Sequence, residues 1–307
     1  MGCNDGENAM INALKKCFIC DSNKFNQHTK EYLRCINCGH EIFYGDETQS
    51  FIINDYLSSE TVNKKNKLDM FKSRILSRFD RNIIRNTLFD IGSGSGRFLH
   101  QNRSRYKNTV GMEITSEAIK FSRNVLNLKI IESIDDAPKK IDVVTAWQSL
   151  EHIPTKILLK ILNQLSLKIN DQGLFIISVP NSGSFQYQWF RSDYAFFDTP
   201  NHLHQFTLKS LVKLMSRFEF EQLETVFSAP YNFFGYTQSI MNFFIKPHNY
   251  LYYRLKRRSQ IAVLRLDIYC LLLLPFASFI GIFFSIFDLI YKNKQGVLTI
   301  CFQKIAR

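Results

Sequence analysis

An apolar run that ends in an acid leads directly into a glycine-rich segment at residues 88–100, which read LFDIGSGSGRFLH. Three glycines, Gly92, Gly94 and Gly96, occupy every second position after Asp90. A glycine-rich turn between a strand and its helix lets a ligand approach the backbone closely. The dinucleotide fingerprint would need its third glycine at the position of Arg97, where helix and strand pack tightly. The spacing therefore predicts a ligand-binding strand–turn–helix unit, and it disfavours a nicotinamide dinucleotide.

Strands and helices alternate around this turn. Apolar residues at helical spacing predict a helix in NKLDMFKSRILSRFDRNII, which precedes the turn. Strands are predicted in NTLFDIG, NTVGMEI, LKIIES, IDVVTAWQSLEHI and GLFIISVPN, and the helices between them begin near Gly96, at Ser116 as N-cap, and in TKILLKILNQLSLKI. A helix in LKSLVKLMSRF and strands in FEQLETVFSA and GVLTICFQKIA follow. This order predicts an α/β fold, a doubly wound parallel sheet with helices on both faces.

Four of the seven cysteines form two close pairs near the N-terminus, Cys17 with Cys20 and Cys35 with Cys38. Paired Cys-x₂-Cys motifs are typical of tetrahedral zinc in a closed structural site, and two disulfides are the alternative. Because so small a module buries little apolar surface, the metal would supply about 10 kcal/mol or more of folding free energy. We predict a disordered N-terminus over residues 1–10, a zinc-ribbon module over 11–45 and a linker over 46–65.

Taken together, these stretches resemble the class I S-adenosylmethionine-dependent methyltransferases, in the branch that acts on small molecules. FDIGSGSGRFL resembles their first motif, IDVVTAWQSLEHIP their fourth-strand motif, GLFIISVPN their fifth strand, and FDTPNHLHQFT a substrate-side segment. The resemblance implies a Rossmann-like domain over residues 66–307, an antiparallel last strand, and S-adenosyl-L-methionine as cofactor.

The same resemblance implies a cofactor site. The loop backbone would approach the amino-acid end of the cofactor, Asp90 would reach that end through water, and Glu113 would accept both ribose hydroxyls. The residues assigned in this way are Asp90, Gly92, Ser93, Gly94, Gly96, Glu113 and Gln148. From the residues alone, the alternatives are a turn without a ligand, an Asp90 that caps a helix, and a solvated Glu113.

Candidate catalytic groups lie beyond the carboxyl ends of the predicted strands, where open α/β sheets bind ligands. Glu151 and His152 follow the fourth strand, and a hydroxyl acceptor needs a base for its proton. His202 and His204 would share one face of an extended segment, from which one could reach the acceptor. The alternative for His152 is a partly buried side chain that bonds to backbone. A metal at this place is disfavoured, because Gln148 replaces the glutamate of metal-binding relatives.

Twenty consecutive residues without a charge, from Ile268 to Phe287, precede the final predicted strand. This length could span a bilayer as a helix. A single crossing would separate the last strand from its predicted neighbour, and Pro275 and Gly281 offer breaks for a helical hairpin. We predict an insert over residues 231–292 that lies in one leaflet, and the alternative is a buried core or dimer helix. Basic residues would meet anionic headgroups: Arg254, Lys256, Arg257, Arg258, Lys292 and Lys294.

The net charge of +12 favours an anionic partner such as a membrane surface. Nucleic acid is disfavoured, because WQSLEHIP stands where a Pro-Pro-Tyr or Pro-Pro-Trp stretch would follow the fourth strand. We predict O-methylation of a hydrophobic or lipid-linked acceptor, such as a polyprenyl-carried saccharide, at the cytoplasmic face of a membrane. The alternative is a zinc-ribbon module that binds RNA or protein, on a non-catalytic scaffold that binds S-adenosylmethionine.

Overall fold

The computed structural model describes residues 16–29, 31–44, 66–255 and 264–306. The N-terminus predicted as disordered (1–10), the predicted linker (46–65), and Lys256, Arg257 and Arg258 lie outside the described residues. The chain divides into two compact units. The sheet unit comprises Thr48–Val179, Leu211–Val226 and Thr299–Arg307, and the ribbon unit comprises Met1–Glu47, Pro180–Ser210 and Phe227–Leu298. The domain predicted over 66–307 is therefore distributed over both units.

The described part of the chain forms the following strands and helices. The strands are β1 (Phe25–Gln27), β2 (Tyr32–Cys35), β3 (Glu41–Phe43), β4 (Thr87–Ile91), β5 (Asn108–Met112), β6 (Lys129–Ile131), β7 (Ile141–Trp147), β8 (Ile169–Pro180), β9 (His204–Gln205), β10 (Phe220–Val226) and β11 (Val297–Lys304). The helices are α1 (Lys67–Phe79), α2 (Arg97–Asn102), α3 (Ser116–Asn124), α4 (Thr155–Lys168), α5 (Phe185–Phe190), α6 (Leu208–Ser216), α7 (Ala229–Phe244), α8 (Tyr250–Leu255) and α9 (Leu264–Ile290).

Seven strands form one sheet in the order β10-β11-β8-β7-β4-β5-β6. The five strands from β8 to β6 run parallel, and β11 pairs antiparallel with β10, with Val226 opposite Thr299. The central strands β4 and β7 are buried along their whole length, as expected for a parallel sheet that is covered on both faces. The predicted doubly wound sheet with an antiparallel last strand is confirmed.

Two helix starts in the sheet unit follow different capping rules. Asn66 caps α1, because its side chain accepts a hydrogen bond from the Leu68 backbone N–H at 2.9 Å. The predicted N-cap at Ser116 is wrong by one residue. Ser116 is the first residue of α3, and Thr115 precedes it without a capping side-chain bond. The Ser116 hydroxyl donates to the Glu117 carboxylate at 2.9 Å.

A second, four-stranded sheet forms the ribbon, in the antiparallel order β1-β2-β3-β9. Strands β1 to β3 come from the cysteine module, whereas β9 comes from the distant segment that contains TPNHLHQFT. Ile42 pairs with His204, and Glu41 pairs with Gln205. The ribbon sheet is therefore completed by a piece of chain that lies some 160 residues further along.

The apolar segment Ile268–Phe287 of the predicted insert lies within one uninterrupted helix, α9, which includes Pro275. The prediction of a helix break at Pro275 and Gly281 is therefore wrong. Packing against α7 compensates the backbone hydrogen bond that proline removes. Gly281 serves this packing, because an added Cβ would lie 2.7 Å from the Thr237 hydroxyl oxygen of α7. Glycine at this position lets the two helices approach closely.

Candidate functional site

The turn after β4 holds its three glycines in the left-handed region, with φ of +66° at Gly92, +53° at Gly94 and +72° at Gly96. The backbone N–H groups of Gly92 and Ser93 both donate to the Met112 carbonyl, at 2.9 and 3.0 Å. These bonds fix the turn against β5. Because glycine adopts positive φ more readily than any residue with a Cβ, the unusual spacing of the motif has a direct backbone cause.

The glycines differ in what surrounds them. A Cβ added to Gly92 would lie 2.5 Å from the Cβ of Ser149, and one added to Gly96 would lie 2.6 Å from a methyl of Leu128. A Cβ added to Gly94 would meet no atom within 4 Å. Gly92 and Gly96 are thus required by packing, whereas Gly94 faces open space in which a cofactor can approach the backbone.

Glu113 lies directly after β5 and faces this turn. Its carboxylate accepts hydrogen bonds from the backbone N–H of Gly94 at 2.8 Å and from those of Ile114 and Thr115 at 2.9 Å each. Three fixed donors orient the carboxylate, whose two oxygens have about four lone-pair sites between them. The structure thus brings together the open glycine and the acid that were predicted to bind the cofactor.

Asp90, at the end of β4, is 3% exposed and accepts a hydrogen bond from the Thr145 hydroxyl at 2.5 Å. Burial raises the pKa of Asp90 to about 7, and the bond from Thr145 opposes this shift. In the same turn, the buried Ser93 hydroxyl has no hydrogen-bond partner among the described residues. An oriented acid, an unsatisfied hydroxyl and an open glycine at one turn fit a polar cofactor such as S-adenosylmethionine.

The residues after β7 support the turn from the other side. The Ser149 hydroxyl donates to the Ile91 carbonyl at 2.8 Å. Gln148 has a positive φ of +54°, and its side-chain amide donates to the Ser178 hydroxyl at 3.1 Å. Sequence reasoning missed Thr145 and Ser149. The signal for Thr145 was one hydroxyl residue within the apolar run 143–147 of a buried strand.

Glu151 and His152 lie on a short 3₁₀ helix, Leu150–His152, that follows β7. Glu151 is fully buried, and neither carboxylate oxygen has a hydrogen-bond partner among the described residues. Burial raises the pKa of Glu151 to about 8. The carboxyl is therefore protonated at neutral pH, which makes the half-buried His152 the better candidate for a base.

The buried Glu151 predicts a pH-dependent stability. Between its ordinary pKa of 4.5 and its folded pKa of about 8, the folded state holds a proton that the unfolded chain has lost. Stability contributed by this group therefore falls as pH rises, by about 1.4 kcal/mol per pH unit across that interval. We expect Glu151→Gln to match the wild-type Tm near pH 4.5 and to exceed it increasingly up to pH 8, as measured by calorimetry. The exposed Glu221→Gln is the control. A difference in Tm between Glu151→Gln and the wild type that does not change with pH would contradict the argument.

The four paired cysteines converge in the ribbon unit. Cys17 Sγ lies 3.7 Å from Cys38 Sγ, Cys20 Sγ lies 3.4 Å from Cys35 Sγ, and all four sulfur atoms lie within 4.8 Å of one another. No disulfide joins the described cysteines. Tetrahedral zinc with Zn–S bonds of about 2.3 Å would place its sulfur ligands roughly 3.8 Å apart. The four sulfur atoms fit such an ion.

The predicted histidines of the TPNHLHQFT segment lie in the ribbon unit. His204 is 1% exposed on β9, where its Nδ1 lies 3.3 Å from His40 Nε2 and its ring packs against Phe18 and Phe206. His202 is also buried, and its carbonyl accepts the Tyr32 hydroxyl at 2.5 Å. These surroundings give His204 a packing role in the ribbon, and the contact of one of the two histidines with an acceptor stays a prediction.

A buried acid that sequence reasoning missed also joins the ribbon to α5. Glu41 is fully buried on β3, accepts the Tyr187 hydroxyl at 2.5 Å, and lies 3.4 Å from an Arg34 nitrogen. Burial raises the pKa of Glu41 to about 7. Nothing in the local pattern distinguishes this glutamate from a solvated one, because its partner lies 146 residues away.

Comparison of the sequence with known proteins identifies a family. A family model described as a methyltransferase domain matches residues 63–225, just over half of the chain. A search of curated proteins by sequence finds no significant match.

Among solved structures, the chain resembles a protein assigned as a sarcosine dimethylglycine methyltransferase from Galdieria sulphuraria, with a TM-score of 0.51 and 13% identity over 82% of this chain and 94% of that one. It also resembles the (4+2)-cyclase SpnF, with a TM-score of 0.51 and 10% identity over 78% of this chain and 82% of that one. At these identities the two structures support the fold alone.

Proposed function

This chain belongs to the methyltransferase-domain family and is an S-adenosylmethionine-dependent methyltransferase, and we propose that it methylates a hydroxyl group of a hydrophobic or lipid-linked acceptor at a membrane surface. The observation that carries the acceptor class is the exposed apolar face of α9, in the ribbon unit. A face of this extent on one helix fits a lipid environment, in which a lipid-linked acceptor would be presented.

The cofactor supplies an electrophilic methyl group when it is bound. In our proposal Gly94 gives it access to the turn, Glu113 accepts hydrogen bonds from its sugar, and Asp90 faces its amino-acid end. Alignment of acceptor and methyl group is the main contribution that such a site makes to the rate. His152 takes the hydroxyl proton of the acceptor, because Glu151 is already protonated at neutral pH.

A polar cavity in the ribbon unit supports an acceptor with a hydrophilic head group, such as a saccharide. It measures about 380 Å³ and is lined by two acids, a histidine, a lysine and two aromatic rings: Asp193, Asp198, His248, Lys246, Phe197 and Tyr253, together with Ser192 and Thr199. Asn242 braces one wall, because its amide donates to the Asp193 carbonyl at 3.0 Å and lies 2.9 Å from a His248 ring nitrogen. The six polar side chains of this lining offer hydrogen-bond partners to the hydroxyl groups of a saccharide.

We also propose that the four cysteines bind one structural zinc ion and that the protein works at the cytoplasmic face of a membrane. The spacing of the four sulfur atoms supports the zinc. The reduced cysteines are consistent with a reducing compartment.

Incubation with methyl-labelled S-adenosylmethionine and a membrane lipid extract tests the proposed reaction. We expect label in the lipid phase, a product that mass analysis identifies as a methyl ether, and loss of at least 100-fold of the rate in Glu113→Ala. The exposed Glu221→Gln should retain the wild-type rate. Cofactor binding without any transfer to lipid, together with capture of RNA by the ribbon, would instead support the alternative of a non-catalytic scaffold.

A further inference from the structure

Helix α9 carries a continuous apolar face, which we call the exposed stripe. Its members recur every three or four residues and are 47–74% exposed: Ile268, Leu271, Leu272, Phe276, Phe279, Ile282, Phe283, Ile286, Phe287 and Ile290. At about 1.5 Å per residue, the stripe extends over roughly 33 Å. Side chains at this spacing lie on one side of a helix, so the surface is a narrow band along its whole length.

The opposite side of α9 packs within the protein. Cys270, Ala277 and Gly281 are buried against α7, and Asp288 near the end of the helix is fully buried. The Asp288 carboxylate accepts hydrogen bonds from the Asn232 amide at 2.8 Å and from the Tyr236 hydroxyl at 3.1 Å. One side of α9 is therefore held within the protein, mainly by apolar packing and by polar bonds at Asp288, and the apolar band on its other side is left exposed.

The chain topology argues against a crossing. Helix α9 is the one described helix with the length and apolarity to span a bilayer, and 17% of its most apolar window is buried. Helix α7 begins three residues after β10 ends, and β11 begins seven residues after α9 ends. Because β10 and β11 are paired neighbours, the chain must return to the side from which it left. A single pass through a bilayer does not meet this requirement.

Charges at the two ends of α9 favour an anionic surface. Its acids do not face the membrane side, since Asp267 pairs with the Arg254 guanidinium at 2.6 Å and Asp288 is buried. The exposed cations Arg265, Lys292 and Lys294 flank the stripe. Aromatic rings typical of a membrane interface lie at the same end as the lysines, where Phe185 stacks on Trp189 and contacts Tyr291.

We propose that α9 lies flat in one leaflet of an anionic membrane, with the exposed stripe among the acyl chains and the flanking cations among the headgroups. This docking deepens the proposed function by naming the partner surface and its orientation. It depends on the fold of the ribbon unit and on no methyl transfer, so binding to lipid can be measured without turnover.

Flotation with vesicles of phosphatidylcholine, with and without phosphatidylglycerol, tests the docking on the full chain. We expect the protein to float with the anionic vesicles and less with the neutral ones. The stripe variant Phe276→Glu/Phe279→Glu/Phe283→Glu should reduce vesicle binding at least tenfold. The control Ile84→Glu/Leu167→Glu/Leu223→Glu places the same charge on exposed apolar residues of the sheet unit and should bind normally.

Labelling distinguishes a flat helix from a crossing one. With protein bound to closed vesicles, a membrane-impermeant maleimide should react with both Arg265→Cys and Lys292→Cys, above the background of the wild type. Protection of one end only would mean that α9 crosses. A stripe variant that still floats would overturn the proposal. So would a wild-type protein that ignores vesicles and forms a dimer, measured by light scattering, that the stripe variant abolishes.

Discussion

Gly94→Arg is expected to abolish binding of S-adenosylmethionine while the protein stays folded. The open space at Gly94 is where the cofactor would approach the backbone, and an arginine side chain would fill it. The Gly94 N–H also donates to Glu113, so a displaced backbone would disturb the acid that is proposed to bind the sugar as well. We expect Kd to rise at least 100-fold in titration calorimetry, which corresponds to about 2.7 kcal/mol of binding free energy.

Two further variants distinguish the effect of side-chain size at Gly94 from the effect of backbone strain in the turn. Gly94→Asn keeps the positive φ, which asparagine tolerates, and adds a small side chain, so we expect it to bind more weakly than wild type but more tightly than Gly94→Arg. Gly92→Ala should lower Tm, because its Cβ would collide with Ser149. Unchanged affinity in a folded Gly94→Arg protein would show that the cofactor binds elsewhere.

The fold could be predicted from the sequence because its signals are local. Apolar runs such as those of β4 and β7, each followed by a helix start, define the parallel sheet without knowledge of long-range contacts. The helix break predicted at Pro275 was wrong because the fate of a helix at a proline depends on contacts that are distant in sequence. Whether a proline ends a helix depends on what the helix packs against, and the partner α7 lies about forty residues earlier in the chain.

The residues of the candidate site divide in the same way, into those that a local motif predicts and those that only a distant contact brings into place. Gly94 and Glu113 were predicted from motif position, and the structure brings them within hydrogen-bond distance. Thr145 and Ser149 were missed, because each bonds to the end of β4 from a position in or just after β7, more than fifty residues further along the chain. His202 and His204 were placed on one face of an extended segment, from which one of them was predicted to reach an acceptor. The pairing of β9 with β3, which buries His204, is not visible in either segment alone.

Contacts across the ribbon sheet give the cysteine module a role that the sequence left open. The Thr207 hydroxyl donates to the Cys38 carbonyl at 2.9 Å, the Tyr32 hydroxyl donates to the His202 carbonyl, and β3 pairs with β9. Gly39 fits closely here, since an added Cβ would lie 3.1 Å from a methyl of Thr207. The module is thus built onto residues 202–207, which resemble the substrate-side segment of the family.

Loss of the zinc ion proposed for the ribbon is therefore expected to stop methyl transfer and to spare cofactor binding. Without zinc, four thiols cannot hold so small a module together, and residues 202–207 lose the partners that order them. For Cys35→Ser we expect less than a tenth of the wild-type zinc content, at least a 100-fold loss of transfer to lipid, and a Kd for S-adenosylmethionine within about threefold of wild type, a difference of roughly 0.6 kcal/mol. Hydrogen exchange in residues 202–207 should accelerate.

Cys270→Ser, which lies outside the cluster, is the matched control and should keep both zinc and activity. Full turnover by a metal-free protein would show that the ribbon does not order the acceptor side, because the cofactor turn in the sheet unit would then suffice.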